Sequence, residues 1–257
     1  MAPLVFITGA SSGIGQALAW RYHQAGWRLA LAARRTGEIE QWVREKAIPL
    51  ERVAIYSADV VDTQSIVAAG EACIAAQGVP DVVIANAGIS VGVDTAMRED
   101  IDVIARTFAT NNVGLAATFH PFVKAMAQRG SGRLVGIASV AAIRGLPGHG
   151  AYCASKAAVV SYCESLRGEL RPGGVKVVTL LPGYVATPLT SKNRYSMPFL
   201  LQADEFADRA FRAIEAGTSY RVIPWQMGVA ARLLRLLPNA LFDRALAGRP
   251  RKHRHDD

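Results

Sequence analysis

The sequence predicts an α/β fold: a doubly wound parallel sheet of seven strands, with helices on both faces, built as a single domain. Three observations predict it. Short apolar runs of strand length alternate with longer stretches of helical period, the pattern of repeated strand–helix–strand units. The first such run passes through a glycine-rich turn directly into a helix. The chain has 257 residues, 51% of them hydrophobic, enough to bury one large core.

The run from Leu4 to Thr8 is the first strand. Thr8-Gly9-Ala10-Ser11-Ser12-Gly13-Ile14-Gly15 then opens a helix whose apolar residues Ala17, Leu18 and Tyr22 carry it to Ala25-Gly26. Strand, glycine-rich turn and helix form a nucleotide fingerprint. Gly9 permits the tight turn, Gly13 lets backbone approach a pyrophosphate, and Gly15 allows close helix packing. The helix N-terminus, with Ser11, Ser12 and Ile14 around it, supplies N–H donors and a favourable dipole. The spacing is G-x-x-x-G-x-G rather than G-x-G-x-x-G. A second strand, Arg28 to Ala33, ends in Arg34-Arg35. An NAD site places an acid about 20 residues beyond the fingerprint. Ala33 stands there instead, and Arg34, with Arg35 beside it, offers a forked cation suited to a 2′-phosphate. This favours NADP(H) over NAD(H).

A third strand is expected from Val53 to Val60, with Asp59-Val60 at its end where an adenine could rest, followed by an alanine-rich helix over 63–76. Asp81 to Ala85 is a fourth strand running into Asn86-Ala87-Gly88, small residues that admit a cofactor close to the backbone. A helical stretch from about 98 to 128 contains Asn111-Asn112-Val113-Gly114. An amide pair is unfavourable inside an apolar helix, so a polar or hydrated task is expected of it. The fifth strand, Arg133 to Ala138, closes on Ser139. A glycine-rich loop holding a solvent-facing His149 leads to a helix that runs to about Arg171. Val175 to Leu181 is the sixth strand, ending at Pro182-Gly183-Tyr184-Val185-Ala186-Thr187-Pro188, and Tyr220 to Ile223 is the seventh. These marked residues lie at carboxyl ends of strands, where doubly wound sheets bind ligands.

Tyr152-Cys153-Ala154-Ser155-Lys156 is the reactive stretch. A spacing of four sets Tyr152 and Lys156 on one helix face, one turn apart. A free phenol titrates near pH 10, and a fixed ammonium favours the phenolate, drawing the pKa toward the working range. Ser139 could hold a carbonyl oxygen while the tyrosine protonates it.

Composition narrows the class. The net charge is +8, but no basic face interleaved with aromatics and no nucleic-acid motif is present, so no nucleic-acid partner is expected. Part of the excess lies in the tail Arg249-Pro250-Arg251-Lys252-His253-Arg254, expected to be solvated and mobile. Cys73, Cys153 and Cys163 are odd in number and lack metal-ligand spacing; reduced, packed thiols and no metal are expected. No charged leader precedes the first strand and no apolar run approaches a membrane span. A cytoplasmic protein is the expectation.

Taken together, Thr8-Gly9-x-x-x-Gly13-x-Gly15, Asn86-Ala87-Gly88, Asn111, Ser139, Tyr152-x-x-x-Lys156 and Pro182-Gly183 resemble the classical short-chain dehydrogenase/reductase family over about residues 3–224. The resemblance implies a Rossmann-type catalytic domain binding NADP(H) over 1–225. It makes Tyr152 general acid in carbonyl reduction and base in alcohol oxidation. Lys156 would lower the pKa of Tyr152 and bind the nicotinamide ribose. Ser139 would orient the substrate oxygen, and Asn111, chosen over Asn112 by its distance from Gly114, would hold a water linking Lys156 to solvent. Asp59 and Val60 would meet adenine, and Pro182 to Thr187, Val185 included, the carboxamide. A homodimer or homotetramer built partly on the Asn111 and Tyr152 helices is also implied.

Beyond Thr187 less is implied. Ser196-Met197-Pro198-Phe199-Leu200-Leu201 reads as loop and helix covering an apolar substrate, or as a lid packing on its own core. Residues 226–257 read as an amphipathic extension with a basic tail. Their apolar face over 226–246 is expected to pack, covering the substrate pocket or a neighbouring subunit, with peripheral membrane contact the second reading. A carbonyl reductase, or the same enzyme run as an alcohol dehydrogenase, is the leading function. Sugar-nucleotide epimerase or dehydratase chemistry belongs to longer relatives, and enoyl reductases space tyrosine and lysine further apart. A non-catalytic NADP-binding sensor would have little reason to keep all four reactive residues.

Overall fold

The structure, a computed structural model, describes residues 2–191, 193, 196–248 and 254. The chain begins with β1 (Leu4–Thr8), α1 (Gly13–Gln24), β2 (Arg28–Ala33), α2 (Thr36–Glu45), β3 (Val53–Ser57), α3 (Thr63–Gln77) and β4 (Val82–Ala85). Next come α4 (Asp100–Phe108), α5 (Gly114–Arg129), β5 (Gly132–Ile137), α6 (Gly150–Leu170) and β6 (Val175–Pro182). It continues through β7 (Val185–Ala186), α7 (Pro188–Ser191), β8 (Leu201–Gln202), α8 (Ala203–Glu215), β9 (Tyr220–Ile223), α9 (Trp225–Leu236) and α10 (Asn239–Leu246).

Seven strands pair in parallel in the order β3-β2-β1-β4-β5-β6-β9. The order reverses between β1 and β4, which opens a crevice at their carboxyl ends. Alternate residues of each strand serve opposite layers. Val5, Ile7, Leu29, Leu31, Ile84 and Leu180 face α1, α2 and α8, burying Leu18, Tyr22, Trp42 and Phe206. Leu4, Phe6, Ala30, Val83, Leu134 and Val177 face the layer of α3, α5 and α6, with Ile66, Phe122, Met126 and Val159. The second layer is tightly fitted: a Cβ on Gly136 of β5 would lie 2.6 Å from Cys163 Sγ. Gly136→Ala should therefore cost about 1–3 kcal/mol in a urea melt. Adding Cys163→Ala should restore most of it; a double variant no better than the single would show that the strain lies elsewhere.

Several boundaries differ from the sequence reading. β3 stops at Ser57, because its register with β2 ends at Ala33 opposite Ser57; Asp59 and Val60 therefore stand on a loop. β5 ends at Ile137, and Ser139 starts a 3-10 turn, accepting the Ala141 N–H at 3.2 Å. The stretch from 98 to 128 is interrupted by a π turn, Ala109–Val113. Ser196 to Leu200 form no helix: Pro198 removes a donor, Phe199 has φ 56°, and the chain enters β8 at Leu201, pairing with β7. The amphipathic helices α2 and α8 stand where no element was singled out.

The C-terminal helices pack only in part on the rest of the chain. Only part of their apolar surface packs within the chain: Gly228 against Val222, Met227 on the second layer, and Phe242. Trp225, Leu233 and Leu236 remain 67%, 61% and 79% exposed. The tail residues 249–253 lie outside the described residues. Arg254 does not project into solvent as expected but reaches back to the buried Asp100 at 2.7 Å and to Glu99 at 3.0 Å. Among the described residues no helix is long and apolar enough to cross a membrane.

Candidate active site

The carboxyl ends of the parallel strands surround a cleft of about 1080 Å³. Its lining includes Gly9, Ser11, Ser12, Gly13 and Ile14 from the first turn, then Arg34 and Arg35 after β2. Asp59, Val60, Asn86, Ala87 and Gly88 follow, with Ser139, Tyr152 and Lys156, and then Pro182, Gly183, Val185 and Thr187. Two residues singled out in the sequence, Gly15 and Asn111, are not in this lining; both act from behind it.

The glycine turn is held open by contacts that no other residue permits. Gly9 has φ 65°, and a Cβ there would lie 2.9 Å from Ala87 Cα. A Cβ on Gly15 would fall 2.2 Å from the Gly9 carbonyl oxygen and 2.6 Å from Asn86 Nδ2. Gly15 thus lets the helix pack closely on the turn. Asn86 donates its amide to the carbonyls of Thr8 and Gly9, at 3.0 and 3.2 Å. The Thr8 hydroxyl accepts the N–H groups of Asn86 and Ala87, at 3.1 and 3.3 Å, and so fastens β1 to β4 at the switch point. Ser12 precedes α1 without a side-chain cap bond, and the first turn carries no acid. Its N–H groups are left to an incoming anion.

The two arginines differ in their commitments. Arg34 is an open side chain whose Nη1 lies 3.7 Å from the Asp59 carboxylate. Arg35 pairs with Glu38 at 2.9 Å and donates to Ser11 Oγ at 3.4 Å. Asp59 is also partly occupied, accepting the Val61 N–H at 3.0 Å.

The reactive group is assembled across β5 and α6. Lys156 is buried, donates from Nζ to the Ile137 carbonyl at 2.8 Å, and lies 5.8 Å from the Tyr152 ring centroid. Burial lowers the pKa of its ammonium to about 8. The Tyr152 phenol is pushed up by burial, and a hydrogen bond with Ser139 pulls it partly back. The fall in the phenol's pKa expected from the nearby ammonium is not found in the protein by itself, where desolvation dominates both groups. In cofactor-free protein the Lys156 13Cε signal should titrate with a midpoint near pH 8. Lys156 is then cationic below that pH and neutral above it. A midpoint above 10 would show that the site is wetter than its geometry.

Asn111 and Asn112 both reach α6 through Ser155, a fully buried residue the sequence reading passed over. Asn111 Nδ2 donates to Ser155 Oγ at 2.9 Å, and Asn112 Nδ2 to the Ser155 carbonyl at 2.8 Å. Asn111 also exchanges two hydrogen bonds with the Ile89 backbone, at 2.9 and 3.0 Å. The polar task of this pair is to tie the π turn to α6 and to the loop after β4. Gly88 lies against Asn111 and Lys156: a Cβ there would sit 3.1 Å from Asn111 Oδ1 and 3.4 Å from Lys156 Nζ. Thr190, also missed, shapes the loop after β6 by bonding the Val185 carbonyl at 2.6 Å and the Thr187 N–H at 3.1 Å. The position of Ser155 inside the Tyr-x-x-x-Lys stretch was the only signal for it; Thr190 had none. His149 is half-buried at the start of α6 instead of facing solvent. The three cysteines are free and buried. Among the described residues no group of three or more His, Cys, Asp or Glu could hold a metal.

Known proteins resemble this chain in sequence and in fold. A family model described as short chain dehydrogenase matches residues 3–197. An uncharacterized oxidoreductase of Myxococcus xanthus (strain DK1622) is 37% identical over 239 residues, covering 93% of this chain and 94% of that protein. A short chain dehydrogenase/reductase from Burkholderia phymatum, solved in complex with NAD, superposes with TM-score 0.82 at 25% identity, covering 100% of this chain and 97% of the other. An alcohol dehydrogenase from the archaeon Thermococcus sibiricus, complexed with 5-hydroxy-NADP, superposes with TM-score 0.76 at 26% identity, covering 86% and 96%.

Proposed function

The chain belongs to the short-chain dehydrogenase/reductase family of nicotinamide-dependent oxidoreductases, and from that premise we propose that it interconverts a carbonyl compound and an alcohol with NADP(H), as a ketone or aldehyde reductase on an apolar substrate. The observation that carries this reading is the meeting of Ser139, Tyr152 and Lys156 in the same cleft as the glycine turn. The residues present fit a dinucleotide: uncapped N–H groups at the start of α1, a turn that admits only glycine at two positions, and two arginines at the rim. When bound, the nicotinamide supplies the hydride.

Tyr152 gives its proton to the carbonyl oxygen in reduction and takes it from the alcohol in oxidation. Ser139 holds that oxygen in attack geometry. Lys156 binds the nicotinamide ribose hydroxyls; with an anion nearby its charged form is favoured, and a charged Lys156 in turn favours the phenolate. Asn111, whose side-chain amide is tied to Ile89 and Ser155, would hold a water linking Lys156 to solvent. Asp59 and Val60 would border the adenine, Asn86 to Gly88 the ribose, and Pro182 to Thr187 the carboxamide. Arg34 and Arg35 would favour a 2′-phosphate.

Exposed Ile101 on α4, Val113 in the π turn and Tyr162 on α6 support two-fold pairing on these helices as a dimer or tetramer. Three free, buried thiols support a cytoplasmic setting. The test is consumption of NADPH against short ketones, aldehydes, quinones, steroids and 3-oxoacyl thioesters. Turnover of one class at catalytic protein concentration is expected. A protein that binds NADPH but turns over none would be a sensor.

A further inference from the structure

No residue of α9 or α10 lines the cleft, although Met227 packs on Gly183 at its rim, and the two helices leave an apolar surface bare. At 100° per residue, Trp225, Val229, Leu233 and Leu236 fall within an arc of about 80° on α9. They are 67%, 46%, 61% and 79% exposed, and Leu241 on α10 is 56% exposed. Four large apolar residues on one helix face form a patch, unlike apolar residues scattered singly over a surface.

The surface is held rigidly. Arg144, five residues after Ser139, donates to the carbonyls of Leu234 and Leu237 at the end of α9 and to Asn239 Oδ1 at the start of α10. Its guanidinium lies 3.7 Å from the centre of the Phe242 ring. One cation thus satisfies the last turn of α9, clamps α10 and fastens both to the loop that follows Ser139. The apolar arc is presented outward by the folded protein and needs no rearrangement to be reached.

Charge decides what can cover it. Over the described stretch from Trp225 to Gly248 the helices carry Arg232, Arg235 and Arg244 against the single acid Asp243. A second copy docked face to face would set cations against cations. An anionic bilayer answers both features: its headgroups neutralise the arginines, its interface accepts an amphipathic tryptophan, and its acyl boundary takes the leucines. We propose that the α9–α10 surface docks this protein on anionic lipid bilayers, lying in the interface without crossing it.

The test uses the full-length protein and phosphatidylcholine vesicles with and without phosphatidylserine. Co-sedimentation with the phosphatidylserine vesicles is expected, weakened at about 1 M salt, where the Debye length falls to about 3 Å. Tryptophan emission should shift to shorter wavelength on binding, and Trp225→Phe should remove that shift. Arg232→Glu with Arg235→Glu should weaken partitioning at least about tenfold, and Leu233→Glu with Leu236→Glu should abolish it. All four side chains are exposed, so unchanged circular dichroism and nucleotide binding are expected in these variants. The proposal is overturned if the native protein stays in the supernatant, if it pellets equally on neutral vesicles, or if the glutamate variants bind as well as the native chain. It is also overturned if Leu233→Glu with Leu236→Glu reduces the oligomer size while vesicle binding is absent, which would assign the face to a second copy.

Discussion

Replacing Tyr152 by phenylalanine is expected to lower NADPH-dependent carbonyl reduction by about 10²–10⁴-fold while NADPH still binds. The substitution removes one oxygen and keeps the ring that packs beside Lys156. Lys156 retains its bond to the Ile137 carbonyl, so the nucleotide cradle is undisturbed. The pH dependence follows from the direction of the phenol's shift. Burial raises the pKa of Tyr152 in the cofactor-free protein; where that rise outweighs the pull of a charged Lys156, the phenol that donates a proton in reduction persists through neutral pH and reduction is flat there. Alcohol oxidation needs the phenolate and should climb on the alkaline side. In Tyr152→Phe that climb should vanish along with the rate. Steady-state rates in both directions against pH, with nucleotide binding followed by fluorescence, check this. A variant retaining more than a tenth of the native rate would remove Tyr152 from the chemistry.

Arg34→Ala is expected to weaken NADPH binding by about 10–100-fold and leave NADH almost unchanged, by the strength of a charge-assisted hydrogen bond. Two effects add at this position. The cation facing a 2′-phosphate is lost, and Asp59, 3.7 Å from Arg34 Nη1, is left without its counter-charge and repels the phosphate. Asp59→Asn in the Arg34→Ala background should therefore recover part of the loss. Arg35→Ala should cost less, because its guanidinium is already shared between Glu38 and Ser11. Titration of both dinucleotides against the four proteins measures the ratios. Equal binding of NADH and NADPH by the native protein, or a ratio unmoved by Arg34→Ala, would contradict the phosphate reading.

The parts of the structure that were legible in the sequence share a cause: their patterns are local. β1 from Leu4 to Thr8 and β2 from Arg28 to Ala33 run as read, because a buried parallel strand is a continuous apolar run bounded by turn residues. The glycine turn was legible because its spacing is a steric requirement, visible in the Gly15 and Gly9 contact. α2 and α8 escaped notice because their apolar stripes, such as Ile39, Trp42 and Val43, are sparse among charges. Of the loop and helix expected over Ser196 to Leu201 the loop is found, and its end at Leu201 pairs with β7, a strand partner that no local pattern announces.

The sequence by itself determined the sheet, the crevice and the set of residues that border it, since hydrophobic period and glycine sterics act over a few residues at a time. Only the tertiary structure decided how the bordering groups are charged and tethered. It pushed Tyr152 up and Lys156 down by burial, and turned the Asn111 and Asn112 amides onto Ser155. It also left the α9 face bare while Arg144 clamped its end. Desolvation and hydrogen-bond partnership depend on what packs from elsewhere in the chain, and no window of neighbouring residues carries that information.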